Sequence, residues 1–523
     1  MKRLSHGLRI CLLASLPAIS TLSFAHKSAA KASGFQIIET TIVDTQTAIR
    51  EGKVTCRQLV EIYLNRIRVY DQPTRLNTVV TLNPTALEDA DRLDKEFALT
   101  HKLRRLQGVV MVVKDNYDTK GLQTTAGSLA LKGFLPKEDA FMVKRIREAG
   151  AIILYKSNMA EWAFSPVVSE SSIAGITRNP YDLERVPAGS SGGTAASVAA
   201  NLVEVGLGSD TGDSIRGPSS HNDLVGIRPT MGLTSRDGII PLNSQADVGG
   251  PLARSVADAA AVLSVVAGYD PADPVTAGSK GKVEKDYTKF LDKHGLKGAR
   301  LGVFRRYIDA PTTDPEIRAL MEKAIADMKA QGAEIVDFAI SNFDTISKGV
   351  NCGNFQADLN HYFSIHGTNA PYKSLYDISE SGLYLPNVQE RIKRALDPKS
   401  NPNTRPGPCM DTYHDEKKIA FRNTIVAAMD AAKLDAVIYP TWSNPPRKVG
   451  DLTSPGGDNS QQLAPPTGMP AITVPMGFTH GMLPAGVSLL GRSFSEPTLF
   501  KLAYAYEQGT KHRVPPPRFG PLP

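Results

Sequence analysis

Apolar runs and helical stripes alternate along almost the whole chain. Strand-like apolar segments fall at residues 109–113, 151–155, 203–207, 300–304, 333–338, 435–439 and 486–490. The first ends abruptly at Lys114-Asp115-Asn116, as a strand buried on both faces does. Between them the period changes to that of a helix. Thr55 and Gln58 form a capping box ahead of Leu59, Ile62, Tyr63 and Ile67 on one face. Helical patterns follow at 142–149, 195–200, 256–267, 314–331, 417–432 and 498–508. This alternation predicts an α/β fold. Residues 396–412 and 443–467 are rich in Pro, Gly, Asn and Ser without periodicity and read as long loops. No repeat or flexible linker stands out, so one large domain is expected, with residues 345–415 as an inserted helical cap.

Composition adds a leader to this picture. In the first 25 residues a basic start (Lys2, Arg3, Arg9) precedes an apolar stretch, and Ser23-Phe24-Ala25 resembles a cleavage site. The stretch is short and diluted for a stable membrane span, so a cleavable signal peptide at 1–25 and a secreted or periplasmic location are expected. No twin-arginine pair precedes it, and Cys11 lacks a lipoprotein context. A lead-in at 26–39, a main domain at 40–510 and a tail at 511–523 complete the expected organisation. The net charge of +7 is dispersed among many acids, with no basic block to neutralise a run of phosphates, so nucleic acid is not expected as a partner. Cys56, Cys352 and Cys409 are too sparse for a disulfide framework or a zinc motif. A bridge from Cys352 to Cys409 is permitted, and the sequence leaves it open, as it leaves oligomeric state open.

The candidate chemistry lies in two clusters of small residues, Ala188-Gly189-Ser190-Ser191-Gly192-Gly193 and Asp210-Thr211-Gly212-Asp213-Ser214-Ile215-Arg216-Gly217-Pro218-Ser219-Ser220. Such residues fill a core poorly; they supply hydroxyls and closely approaching backbone amides, the parts of a nucleophile beside an oxyanion site. Neither Ser190 nor Ser214 sits in a G-x-S-x-G elbow, and of ten histidines only His221 is near in sequence. Lys114, at a buried strand end where desolvation lowers an ammonium pKa, is the better candidate base.

Those two clusters, with Lys114-Asp115-Asn116, Asn179-Pro180-Tyr181-Asp182, the stretch from Thr467 to Pro475 and the closing Tyr504-x-Tyr506-Glu507-Gln508, resemble the amidase signature family in order and spacing over residues 40–510. The resemblance implies a central twisted mixed sheet with helices on both faces. It implies Ser214 as nucleophile, Ser190 (joined to Gly189 by a cis peptide) as proton relay and Lys114 as base. The backbone amides of Thr211, Gly212, Asp213 and Ser214 would hold the oxyanion, and Gly189, Asp210 and Arg216 would support the loop. No metal or cofactor is implied; the partners are a small amide substrate and water.

Two positions depart from the family pattern. Ala188 stands where glycine is common, and Asp213 stands before the nucleophile where glycine is usual. A carboxylate there would oppose a forming oxyanion, so its side chain is expected to turn away onto a donor such as Arg216 or His221. Asp210 with Arg216 reads as an internal ion pair. Asp115 and Asn116 read as fixing the lysine loop, and Trp162 and Phe164 as either acyl-pocket or core residues. The leading reading is an exported amidase working through an acyl-enzyme. Cleavage of C-terminal peptide amides or of carbamates, and a catalytically impaired binding homologue, stand as alternatives. A tRNA-dependent amidotransferase component is disfavoured, because an exported chain would not meet its partners.

Overall fold

The computed structural model describes residues 35–400 and 409–522. The expected signal peptide, residues 26–34 of the lead-in and residues 401–408 of the 396–412 loop lie outside the described residues. Eleven strands form one sheet. In chain order they are β1 (Val79–Leu82), β2 (Val110–Lys114), β3 (Ile152–Ser157), β4 (Val205–Asp210), β5 (Val225–Arg228), β6 (Val248–Ala253), β7 (Arg300–Val303), β8 (Glu334–Asp337), β9 (Ala436–Pro440), β10 (Ala471–Thr479) and β11 (Leu483–Leu490). Across the sheet the order is β1-β3-β2-β4-β6-β5-β10-β11-β9-β7-β8. β3, β2 and β4 run parallel, as do β9, β7 and β8. The centre is antiparallel, including the β10–β11 hairpin. The sheet is therefore mixed, as the resemblance implied.

Strand alternation distributes the apolar residues to two layers. Met111, Val113, Val205 and Leu207 join a cluster with helix Val256–Val266 and helix Glu496–Thr510. Val110 and Val112 join the opposite cluster with helix Cys56–Tyr70 and the alanines of helix Gly192–Ala199. Helices thus cover both faces, the usual condition for strands that are apolar on both sides. The Thr55 capping box is present as read, with Thr55 Oγ1 accepting from the Gln58 amide.

The compact unit is wider than residues 40–510. It begins at Phe35, and the segment beyond Thr510 packs into it. Phe519 is buried, and the guanidinium of Arg66 donates to the carbonyls of Phe519 and Gly520. Arg513 donates to Glu39 and to the Tyr181 hydroxyl. The tail is not a tail but a tie: its carbonyls complete the acceptors of buried Arg66, which also donates to Ala200 and Asn201, and its own Arg513 reaches back to the body.

The cap follows β8 as helices Phe355–His366, Leu375–Ser381 and Pro386–Leu396, which share an apolar cluster with Phe134, Trp162 and Ile240 of the body. Cys352 and Cys409 are bridged at the two ends of this region. Tyr362 donates to Asp118 at 2.6 Å, and Glu161 accepts from the Leu385 amide at 3.0 Å, so polar contacts also fix the cap. Residues 443–467 are loop apart from the short helix Ala464–Thr467. Among the described residues no helix is long and apolar enough to cross a membrane.

Candidate active site

Side chains alternate along β2, so Lys114 continues the Val110–Val112 side and points toward helix Gly192–Ala199. That helix lies close on the sheet because β4 offers glycines beneath it. A Cβ on Gly206 would sit 2.5 Å from Thr194 Cγ2, and one on Gly208 would sit 2.8 Å from Ser191 Oγ. The approach brings Lys114 Nζ to 2.7 Å from Ser190 Oγ and 2.9 Å from Ser209 Oγ. Asn116 holds Ser209 in turn, donating to its Oγ at 3.0 Å. Lys114 is fully buried, and that burial pulls its ammonium from 10.5 down to about 7, against the opposing pull of Asp247 and Asp210.

Gly189 and Ser190 are joined by a cis peptide. The loop is pinned by Ser169, whose Oγ donates to the Ala188 carbonyl at 3.0 Å and accepts from the Gly192 amide at 2.9 Å. Ala188 adopts φ 65°, the left-handed region that glycine occupies without penalty.

Ser214 lines a cavity of about 200 Å³ together with Thr211, Gly212, Asp213, Phe164 and Arg391. The amides of Thr211, Gly212, Asp213 and Ser214 donate to no acceptor among the described residues. Their orientation follows from the carbonyls. The Gly212 carbonyl accepts from Arg216 at 2.7 Å, and the Asp213 carbonyl accepts from the Gly217 amide at 2.7 Å. In a trans peptide the N–H points opposite to the C=O, so the Asp213 and Ser214 amides turn the other way. The result is a row of unused donors beside a hydroxyl.

Asp210 anchors that row. Its carboxylate takes Arg216 at 3.2 Å and Arg228 at 2.8 Å and accepts the Ile215 amide at 3.2 Å, all buried. Burial pushes this carboxyl up, but the two guanidinium charges prevail and hold it at about 2. The expected Asp210–Arg216 pair is present, and Arg228 is an addition to it. Asp247 steadies the neighbouring residue, accepting from Thr211 Oγ1 at 2.5 Å.

Asp213 does not behave as expected. It turns to neither Arg216 nor His221: Arg216 is spent on Asp210, Gly212 and the Ser460 carbonyl, and the His221 Nε2 faces the Asn444 carbonyl at 3.3 Å. Burial holds His221 neutral, pulled down to about 3. Asp213 instead lies in the field of the Asp458 carboxyl, which accepts from Gln461 at 2.6 Å. Burial and the Asp458 and Asp210 charges push the Asp213 carboxyl well above the carboxylate range. Of the two carboxyls, Asp213 is the one driven toward its protonated form, and its Oδ2 is buried without a hydrogen-bond partner among the described residues. The side chain also remains at the site, with Ser214 Oγ donating to its Oδ1 at 3.4 Å.

Lys114 and Ser190 come together as read, while no hydrogen bond joins Ser190 Oγ to Ser214 Oγ in this structure. The Ser214 hydroxyl instead faces Asp213, donating to its Oδ1. Phe164 lines the cavity, whereas Trp162 is core, packed edge-on against Phe355 at 6.0 Å. Asp115 fixes the lysine loop by accepting from Thr125 and its amide and by facing Lys156 Nζ at 3.7 Å. Ser209, Lys156, Arg228, Asp247 and Asp458 escaped the sequence reading. Ser209 and Lys156 had a signal, each at the end of a strand adjoining β2; Asp458, in an aperiodic loop, had none. Among the described residues no group of three or more His, Cys, Asp or Glu is arranged to hold a metal ion.

The family model described as Amidase matches residues 58–500. A probable amidase of Arabidopsis thaliana is 37% identical, covering 92% of this chain and 92% of its own. The native peptide amidase of Stenotrophomonas maltophilia is 38% identical with a TM-score of 0.79, covering 91% of this chain and 98% of that one. One component of the glutamyl-tRNA(Gln) amidotransferase of Moorella thermoacetica is 36% identical, over 90% of this chain and 97% of its own.

Proposed function

Because the chain belongs to the amidase family and is an amidohydrolase, we propose that it is an exported enzyme hydrolysing carboxylic acid amides through a Ser214 acyl-enzyme. The observation that carries the mechanism is a wholly buried lysine 2.7 Å from Ser190 Oγ, in a chain whose second serine lies beside unused amides. Neutral Lys114 takes the Ser190 proton as Ser190 takes that of Ser214, once the Ser214 hydroxyl has rotated off Asp213. The Ser214 oxygen bonds to the substrate carbonyl carbon, and the resulting oxyanion lies among the amides of residues 211–214. The Lys114 ammonium then returns its proton through Ser190 to the leaving nitrogen, the C–N bond breaks and the amine departs. Water repeats the sequence on the acyl-enzyme, releasing the acid and restoring Ser214.

Export is supported by the basic and apolar start of the chain and by the Cys352–Cys409 bridge, which suits an oxidising compartment. Cleavage of C-terminal peptide amides is the second reading, favoured over carbamate hydrolysis by the likeness to the Stenotrophomonas enzyme. The test is a hydrolysis screen of primary amides, anilides, peptide amides and carbamates, run beside labelling by a serine-directed fluorophosphonate. Labelling lost in Ser214→Ala, with turnover of at least one amide class by wild type, supports the assignment. No labelling and no turnover would indicate the impaired binding homologue.

A further inference from the structure

The cavity above Ser214 does not end at the cap. A second cavity of about 280 Å³ adjoins it, and the two share Phe164, Leu242 and Arg391 in their walls. Arg391 lies on helix Pro386–Leu396, and Arg394 of the same helix lines the second cavity. The charge balance of this passage is unusual. Among the described residues the inner cavity holds one carboxyl, Asp213, which burial and the Asp458 and Asp210 charges drive toward its neutral form, and one cation, Arg391. The outer cavity holds Arg391 and Arg394 and, among the described residues, no carboxyl.

Arg391 is also unlike the other arginines around the site. Arg216 and Arg228 are both paired with Asp210 and donate to carbonyls besides. The Arg391 guanidinium makes no hydrogen bond or ion pair with any described residue; its one contact is the face of Phe164, 5.2 Å from the ring centroid. Stacking of this kind fixes the plane of a guanidinium while leaving all five N–H donors free. Arg391 and Arg394 are both exposed at the mouth of the passage; the protein atoms around Arg391 and the like charge of Arg394 push the Arg391 guanidinium down, so both groups gain from an anion placed between them.

We propose that Arg391, backed by Arg394, is an anion subsite, and that the amides this enzyme prefers carry a carboxylate set away from the scissile carbonyl. The inference rests on the amidase reading above and narrows its substrate class. A bidentate guanidinium–carboxylate contact holds the substrate before and during reaction alike, so it acts on KM more than on kcat. The carboxylate can belong to the acyl half or to the amine half, and the same guanidinium would recognise either.

Two matched pairs separate these sources. On the acyl side, the mono-4-nitroanilide of glutaric acid is compared with 5-oxohexanoic 4-nitroanilide, a neutral isostere. On the amine side, 4-butyramidobenzoate is compared with 4-butyramidoacetophenone. In wild type the carboxylate member of one pair should lead by about tenfold or more in kcat/KM, chiefly through KM, and the pair that shows it identifies the half. Arg391→Gln should bring that ratio near unity, Arg391→Lys should keep part of it, and Arg394→Gln should lower it by a smaller factor. The ratio should also shrink between about 20 mM and about 500 mM salt, since the subsite is partly open to solvent. Fluorophosphonate labelling of each variant verifies an assembled Ser214. Equal turnover within both pairs removes the subsite while leaving the amidase reading standing, as does a ratio that survives in labelled Arg391→Gln. Failure to hydrolyse either carboxylate member overturns the subsite whatever the labelling shows. A wild-type protein that neither labels nor hydrolyses any of the four overturns both readings.

Discussion

Replacing Lys114 by methionine tests the base and the energetics of its burial together. An exposed lysine with the ordinary value of 10.5 is neutral at pH 7 in about one molecule of three thousand; at about 7, Lys114 is neutral in roughly half. The gain in usable base is three orders of magnitude, and its thermodynamic counterpart is a destabilised fold. A depression from 10.5 to about 7 corresponds to about 4–5 kcal/mol at pH 7, an order-of-magnitude figure for a fully buried group. The sign is fixed by proton counting. Between about pH 7 and 10.5 the unfolded chain holds a proton at this position that the folded chain lacks, so stability rises with pH across that window. From pH 7 to pH 9 the rise attributable to Lys114 is about 2 kcal/mol. Lys114→Met keeps the length of the side chain, removes the titration and loses most activity. It should therefore lack that share of the pH dependence in denaturant unfolding, and near neutral pH it should be more stable than wild type by less than the full figure, because Ser190 and Ser209 lose a partner. In wild type, kcat/KM for a chromogenic anilide should climb along a single limb centred near pH 7. A limb centred above about pH 9, a rate maximum below about pH 5, or identical pH slopes of stability in wild type and Lys114→Met would refute a neutral buried base.

Further expectations bear on other parts of the site. Ser214→Ala should lose several orders of magnitude in kcat and all fluorophosphonate labelling while unfolding at the same denaturant midpoint; retention of more than about a tenth of the rate would remove Ser214 as nucleophile. Asp213→Asn should stay within about threefold of wild type, since its amide keeps the shape of a carboxyl already driven toward its neutral form, whereas Asp213→Gly should be modestly slower; variants both about tenfold faster would show an unneutralised charge at that position. The Asp458 carboxyl, pushed up to about 6 by burial, contributes most to stability below its ordinary 3.8, and that contribution is lost as pH rises through about 6, measurable as a slope missing from Asp458→Asn. Cys352→Ser opens a loop of 57 residues worth up to about 4 kcal/mol in chain entropy, and faster hydrogen exchange should appear in the cap helices and not in β2 or β4; uniform exchange would contradict an independently tethered cap.

Much of this fold was legible because burial imposes period. The apolar runs at 109–113 and 151–155 lie one residue from β2 and β3, and the Thr55 box starts its helix where the side chains demand. Lys114 was legible for the same reason, as a charge continuing an apolar strand. What sequence could not carry was pairing across distance. Asp213 and Asp458 are brought together by a loop that has no periodicity, and two carboxyls leave no complementary charge to find. The C-terminal segment misled in a related way: Arg513 and Phe519 look like ordinary residues past a last helix, and only their acceptors and neighbours show that they close the body.

The strand order has a consequence for how the chain comes to exist. β1 to β6 form one half-sheet and β7 to β9 another, and the β10–β11 hairpin, from the end of the chain, is inserted between β5 and β9. Until that hairpin arrives each half presents an open edge, on β5 and on β9, the kind of surface that pairs with strands of other molecules. The hairpin is thus a keystone delivered last. Any chain ending before it has two unfinished arches rather than a shortened enzyme, so nonsense variants even close to the C-terminus should surface as aggregated or degraded protein instead of weakened activity.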